Sequence, residues 1–221
     1  MNILLTAGAT REPIDSVRFL SNISSGATGA ALAERLVAAG HRVTLLHGEG
    51  AVRPEASSGV SCVVFGSTEQ LGERLRQILG TGEIDVVIHA AAVADYRPPA
   101  VTAEKLGSDA ETMTLHLVPT PKLLPQLRGW SPRPMRVVGF KLTTGAGAEE
   151  REAAVGKLLA RGGVDAVVQN DTHELSAAGG ERVFRIFTGG AEDSAAERVS
   201  GVSALGEWFA LWIDADIRGD H

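Results

Sequence analysis

The sequence predicts an α/β fold of the three-layer, Rossmann-like kind: a mostly parallel sheet with helices on both faces, plus a flap or dimerisation strand. Three observations carry this expectation. Apolar runs of strand length alternate with segments of helical periodicity, the order that builds β-α-β units. The run Ile84-Asp85-Val86-Val87-Ile88 is almost continuously apolar, as strands covered on both faces are. Glycine is abundant, at 26 residues, and aromatics make up only 5%, a balance suited to helices packed closely on a sheet through small side chains.

Taken in order, Asn2 to Thr6 forms the first strand. Gly26 to Ala39 follows as a helix, because Ala30, Leu32, Ala33, Leu36 and Val37 recur at helical spacing and Gly40 stops it. His41 to His47 and Cys62 to Phe65 read as strands. Ser67 caps a helix over Thr68 to Leu79, whose Leu71, Leu75, Ile78 and Leu79 share a face. Glu83 to His89 is the next strand, followed by strands at Met135 to Phe140, Asp165 to Gln169 and Arg182 to Phe187. Helices are expected at Pro121 to Leu127, Ala148 to Ala160 and Val202 to Ile213. Met113 to Val118 alternates Met113, Leu115 and Leu117 with Thr114 and His116, the pattern of a half-exposed strand in a flap or dimer contact. No stretch has the composition of an interdomain linker, so residues 1–221 are expected to form a single domain.

Bulk properties narrow the function classes. A chain of 221 residues that is 44% hydrophobic has ample material for a core. Its net charge of −6 argues against a broad nucleic-acid surface, so any anionic ligand must be met locally. The single cysteine, Cys62, cannot form an internal disulfide and sits in a strand pattern, where a small buried hydrophobe is expected. Met1-Asn2-Ile3 opens the first strand without a basic leader, and no apolar run is long enough to span a bilayer. A cytoplasmic protein without membrane or nucleic-acid partners is the expectation.

Ligands of open α/β sheets bind outside the carboxyl ends of the strands, and the informative residues sit just after strands. Leu4 to Pro13 ends an apolar strand at small residues. Ser21 to Gly29 then forms a second Ser/Gly turn that opens a helix. Small residues let backbone approach anionic oxygens, and the first helical N–H groups point at them. Gly8 and Gly26 are too far apart for a tight dinucleotide turn, which leaves room for a second ligand; a plain strand-to-helix loop is the alternative. Ala90 to Ala94 offers a small apolar surface for a flat ring, with the Asp95 carboxylate at its edge, or else a buried helix start. Lys105 is either a solvated charge or a group that stabilises negative charge developing on a transferring phosphate or acyl oxygen. Phe140 could pack on a base or in the core. Lys157 and Arg161, at i and i+4, could meet a triphosphate or complement the helix dipole. Gln169-Asn170-Asp171 suits ligand hydrogen bonds or an Asx-type turn.

These residues together resemble a known family. Thr6 to Asp15, Val17 to Asn22, Ser24-Ser25-Gly26, Ala91 to Arg97, Glu104-Lys105, Val138 to Lys141 and Asn170-Asp171 stand in the order and form of phosphopantothenate–cysteine ligase, an enzyme of coenzyme A biosynthesis. Lys141 after Phe140 looks like the stand-alone bacterial form, without a decarboxylase half, so no flavin is expected. The resemblance implies an amide synthesis in two steps. The carboxylate of 4′-phosphopantothenate attacks the α-phosphate of a nucleoside triphosphate, CTP or else ATP, giving an acyl-nucleotide and pyrophosphate; the cysteine amine then displaces the nucleotide. Mg2+ accompanies the triphosphate, with its protein ligands unknown, and the family assembles as a homodimer.

By the same resemblance, Asn22 contacts the acyl-nucleotide and Lys105 serves its conversion. Ser24, Gly26 and Gly29 form the phosphate turn. Ala91, Ala92 and Asp95 face base and ribose, and Pro121 lies in the loop beside the base. Lys105, Phe140, Lys157, Arg161 and Asn170 are further nucleotide contacts. Some positions depart from the family pattern: Ala27 replaces a basic residue, Ile23 a longer side chain in some members, and Arg161 a usual lysine, which keeps charge and alters donor geometry. The Gly162-Gly163 pair also replaces more polar residues. A nicotinamide-dependent oxidoreductase competes, since Glu49 has a spacing from Gly29 compatible with a ribose-binding acid. Against it, Tyr96 is the only tyrosine and Ala100 stands where a Tyr-x-x-x-Lys relay needs lysine. A non-catalytic nucleotide-binding module is the other alternative, and the pairing of Asn22 with Lys105 speaks against it.

Overall fold

The computed structural model describes residues 1–107, 111–175, 180–188 and 196–215. Its centre is β1 (Asn2–Ala7), whose Ile3, Leu4, Leu5 and Thr6 are buried. It pairs in parallel with β4 (Arg42–Gly48) on one side and β6 (Val86–His89) on the other. Beyond β4 lies the edge strand β5 (Ser61–Phe65). Beyond β6 lie β9 (Arg136–Thr143) and β10 (Ala166–Leu175), both parallel. The eight-stranded sheet is completed by β11 (Arg182–Thr188) and β12 (Glu197–Ser200). These last two run antiparallel, so the sheet is parallel only through β10.

The layers follow from strand alternation. On one face, Leu5 and Ala7 of β1, Ile88 of β6 and Val138 of β9 pack against Leu32, Ala33 and Leu36 of α1 (Ala27–Ala38) and Leu205, Phe209 and Ile213 of α5 (Gly201–Ala215). On the other, Leu4, Val87 and Val137 pack against Leu71 and Leu75 of α2 (Thr68–Leu79) and Leu127 of α3 (Leu127–Trp130). The fifth helix described, α4 (Ala148–Ala160), packs on β9 and β10. Ser67 caps α2, its Oγ accepting the Gln70 N–H at 3.3 Å. At Gly29 a Cβ would lie 2.4 Å from that of Ala7, so only glycine lets α1 sit this close to β1.

Several expectations need correction. Met113 to Leu117 is not a strand; only Val118–Pro119 (β8) pairs, antiparallel with Tyr96–Arg97 (β7). Alternation makes a strand only where a neighbour supplies hydrogen bonds, and Met113, Leu115 and Leu117 are exposed. The expected helix from Pro121 is a 3-10 turn at Leu124–Gln126 followed by the short α3. Pro121 and Pro125 withdraw N–H groups and restrict the residues before them. Cys62 is exposed rather than buried, because β5 is an edge strand; partial burial still pushes its thiol pKa up, the opposite of an activated nucleophile. The hairpin of β2 (Arg11–Pro13) and β3 (Phe19–Ser21), and strand β12, carry no sequence periodicity that announced them. No helix among the described residues is long and apolar enough to cross a membrane.

Candidate functional site

The strand order reverses between β1 and β6: β4 and β5 extend one way, β6, β9 and β10 the other. A cleft of about 1000 Å³ opens at the carboxyl ends of these strands. That is the crevice where open α/β sheets bind ligands, at the upper end of ordinary pocket sizes of roughly 300–1,000 Å³.

One wall is the Ser24–Gly29 turn. Gly26, with φ 76°, is the N-cap of α1 and offers no side-chain cap to the first helical N–H groups. Ser25 Oγ accepts the Ala27 N–H at 3.4 Å, and the N–H groups of Thr28 and Gly29, both in the cleft lining, are the donors offered to an anion. The opposite wall is the Ala90–Asp95 loop, whose N–H groups donate to β1 and its continuation. Thr6 Oγ1 accepts the Ala91 N–H at 3.1 Å, Gly8 O that of Ala92 at 2.8 Å, and Thr10 Oγ1 that of Ala94 at 3.0 Å. Asn22 bridges the two walls by donating from Nδ2 to Val93 O at 3.1 Å. Glu12, buried between Thr10 and Thr68, accepts the Thr68 N–H at 2.9 Å and its hydroxyl at 2.6 Å. This ties β2 to the N-terminus of α2 and fixes the start of the loop that carries Asn22.

Of the residues singled out from sequence, Asn22, Ser24, Gly26, Gly29, Ala91, Ala92 and Asp95 line the cleft, as do Pro121, Phe140, Arg161 and Asn170. Asp95 sits exposed at the rim in an ion pair with Lys122, while Thr120 Oγ1 donates to Ala94 O beneath it. Asn170 is 5% exposed and its Nδ2 has no hydrogen-bond partner among the described residues. A buried amide donor without a partner costs stability unless something supplies an acceptor. Two expected residues lie elsewhere. Lys157 is exposed on α4 outside the cleft lining, because one turn along the helix Arg161 is the side chain that reaches it. Lys105 is exposed on a loop that does not line the cleft. That loop is pinned to the β2–β3 hairpin: Asp15 Oδ2 accepts the Leu106 N–H at 3.1 Å, and Ile14 O accepts that of Thr102 at 3.2 Å. The N–H of Val17, with those of Leu106 and Arg18, holds the Asp15 carboxyl below the ordinary carboxylate range.

Sequence reasoning missed His89, Lys122 and Arg182, all of which line the cleft. His89 ended a strand and was legible only as a strand residue. Lys122 and Arg182 arrive from distant parts of the chain, and no local pattern marked them. Together with Lys141 and Arg161 they give an acidic protein a locally cationic crevice. Behind it, Asp171 accepts the Thr143 hydroxyl at 2.6 Å and the N–H groups of His173, Ala146 and Gly145. Those donors, the Thr143 hydroxyl foremost, hold its carboxyl far below the ordinary range. Asp171 therefore shapes the turn between β9 and α4 rather than taking part in proton transfer. Glu49, the candidate ribose acid of a dehydrogenase, lies outside the cleft lining and faces Arg11 at 3.8 Å. Among the described residues no group of three or more His, Cys, Asp or Glu could hold a metal ion.

Comparison with known proteins places this geometry in a family. The chain is 36% identical over 187 residues to the coenzyme A biosynthesis bifunctional protein CoaBC of Thermococcus kodakarensis, covering 85% of this chain and 44% of that protein. It thus spans about half the length, or less, of the curated relatives it matches. Its fold matches the crystal structure of the DNA/pantothenate metabolism flavoprotein from Streptococcus pneumoniae with a TM-score of 0.85 and 25% identity, over 98% of this chain and 99% of that one. It also matches the C-terminal domain of a CoaBC protein with a TM-score of 0.77 and 28% identity, over 99% and 96%. Residues 1–198 match the DNA/pantothenate metabolism flavoprotein C-terminal domain, and the chain belongs to that family.

Proposed function

We propose that residues 1–221 form one domain with the activity of a phosphopantothenate–cysteine ligase of coenzyme A biosynthesis. The observation that carries the reading is the cleft itself: the glycine-opened α1 N-terminus, the Ala-rich loop and a set of cations converge at the strand-order switch point of a protein whose net charge is −6. Membership in a family whose relatives are described as coenzyme A biosynthesis proteins supports the substrate class.

A carboxylate does not acylate an amine until its oxygen becomes part of a good leaving group. In the proposed reaction the phosphopantothenate carboxylate oxygen attacks the α-phosphorus of CTP, or of ATP, and pyrophosphate leaves. The cysteine nitrogen then attacks the acyl carbon, CMP or AMP departs, and the amine gives up a proton. Such steps ask for positioning and charge neutralisation more than for covalent help from the protein. Ser24, Gly26 and Gly29 cradle phosphate. Ala91, Ala92, Asp95 and Pro121 surround base and ribose, while Phe140, Arg161 and Asn170 complete the nucleotide site. Asn22 holds the acyl-nucleotide, and Lys105 assists its conversion. Mg2+ bound with the triphosphate would supply charge neutralisation to the phosphates, and no protein ligand for it is assigned. The reaction uses no flavin.

A homodimer suits the exposed apolar side chains. Val17 and Phe19 of the β2–β3 region, Tyr96, and Met113, Leu115 and Leu117 are all solvent-facing in the single chain. A second copy seated there would cover them and lie next to the Lys105 loop. No nucleic-acid or membrane partner is part of the reading, and the cytoplasm is the proposed compartment. The test is a coupled pyrophosphate assay with mass detection of the product. Pyrophosphate release with CTP that requires phosphopantothenate, and phosphopantothenoylcysteine only when cysteine is added, is expected. Tight NADPH binding without either activity would support the oxidoreductase instead.

A further inference from the structure

His89 is the last residue of β6 and lines the cleft, yet nothing above gives it a task. Strand alternation puts it on the same face as Val87, which packs with Leu123 and Leu127. The imidazole therefore stands on the side of the sheet that carries the Pro121–Leu124 segment. The α1 helix is on the opposite side, with Gly29 against Ala7 and Leu5.

The ring's protonation is set by its neighbour. His89 Nδ1 lies 2.9 Å from Thr6 Oγ1, which is fully buried and already accepts the Ala91 N–H at 3.1 Å. A hydroxyl has one proton to give. The oxygen can accept twice, so the Ala91 N–H alone does not decide the matter; among the described residues, however, Nδ1 is the acceptor that the Thr6 hydroxyl proton has, so Thr6 gives it to Nδ1 and the neutral ring carries its own proton on Nε2. Nε2 is the ring nitrogen left to the cleft. Burial, which pushes the imidazole pKa down to about 4, keeps the ring uncharged at neutral pH.

From this geometry we infer that His89 is a nucleobase-recognition residue, its Nε2–H donating to a ring-nitrogen or carbonyl acceptor on the base of the bound triphosphate. The inference rests on the nucleotide reading of the cleft proposed above. The triphosphate is drawn to the N–H groups of α1, across the strand ends from His89. What remains on the His89 side is the base, and an uncharged donor suits an uncharged acceptor. In this way a side chain adds to the backbone surface of Ala91 and Ala92 a directional contact that a flat apolar ring site lacks.

Two substitutions separate recognition from support. His89→Asn keeps an acceptor near the Thr6 hydroxyl but is too short to reach the cleft. His89→Gln loses that acceptor and places an N–H close to the Nε2 position. Titration calorimetry of the full chain with Mg–CTP is expected to show His89→Asn weakened about tenfold, the worth of one net hydrogen bond, and His89→Gln within about threefold of wild type. Histidine side-chain 15N spectra of the wild type are expected to show the Nε2–H tautomer for His89, its Nε2 resonance moving on CTP addition. Equal affinity of wild type and His89→Asn, the reverse order of the two variants, or an Nδ1–H tautomer would each overturn the assignment. If neither wild type nor variants bind any triphosphate, the nucleotide reading itself fails and takes this assignment with it, an outcome distinct from a wild type that binds and variants that bind equally.

Discussion

The Asp15 carboxylate accepts the Leu106 N–H at 3.1 Å, although the two residues are far apart in the chain. The contact fastens the Lys105 loop to the β2–β3 hairpin, and Arg18 adds to it by donating to Leu106 O at 3.3 Å. Lys105 is thereby tethered through Leu106 even though its own side chain is exposed. Asp15→Ala would free the loop while leaving every cleft-lining residue in place. Hydrogen exchange is expected to quicken at residues 102–107 and turnover to fall, with CTP affinity unchanged. Unaltered exchange in that segment would show that the loop is held by other contacts.

Lys105→Ala and Asn22→Asp test the two residues with proposed chemical roles. Removing the ammonium is expected to lower product formation by on the order of 10²-fold or more, the usual scale for a group that stabilises developing charge. Because Lys105 is exposed, thermal stability should stay at the wild-type value. Asn22→Asp places a carboxylate beside anionic ligand groups and removes the Nδ2 donor to Val93 O. A similar loss of rate is expected there, with weaker retention of the acyl-nucleotide in rapid-quench experiments. A wild-type rate for either variant in the coupled pyrophosphate assay removes that residue from the mechanism.

The central strands were legible because β1, β6 and β9 are covered on both faces and read as continuous apolar runs whatever surrounds them. The Ser24–Gly29 turn and the Ala90–Asp95 loop were legible for a similar reason: small residues after a strand state a local requirement. The β2–β3 hairpin was not, since three-residue strands have no periodicity. It is held from a distance by Arg11 N–H to Gly66 O at 2.8 Å and by Glu12 to Thr68. Met113 to Leu117 shows the converse. Its alternation is real, but a pattern specifies a face and not the neighbour that must cover it. Lys122 and Arg182 reach the cleft through tertiary placement alone. Lys157 had the right charge and spacing, and the turn of α4 brings Arg161 to the cleft in its stead.

Gly29→Ala is a sharp test of how α1 is seated. Alanine improves helix propensity by about 1 kcal/mol over glycine. The new Cβ would, however, lie 2.4 Å from Ala7 Cβ and 3.2 Å from Leu5 Cδ2, closer than side chains tolerate. Overpacking in a rigid core costs about 1–3 kcal/mol, and the overlap here is with a side chain that cannot rotate away. The balance falls on destabilisation, of up to about 2 kcal/mol, together with a displaced α1 N-terminus. Urea titration measures the first and CTP calorimetry the second; a stabilised variant with intact affinity would mean that α1 has room to move.

His89 also sets a pH window for stability. Burial holds its imidazole at about 4, against an ordinary 6.5, and burial lowers His41 as well. Between those values the unfolded chain binds protons that the folded chain refuses, so folding is favoured fully above pH 6.5 and loses ground as the pH falls toward 4. At about 1.4 kcal/mol per tenfold change in proton affinity, the His89 share has an upper bound of about 3.5 kcal/mol. Asp171, Asp15 and Glu174, whose pKa values are lowered by their donors and by arginine partners, lose their contribution only below the ordinary carboxylate range. The two effects are thus separable by pH. Chemical denaturation of His89→Gln is expected to show a flatter stability curve between pH 6.5 and 4 and the wild-type acid limb below it. An identical slope in the upper window would mean that the wild-type imidazole takes up its proton in the folded state as readily as in the unfolded one.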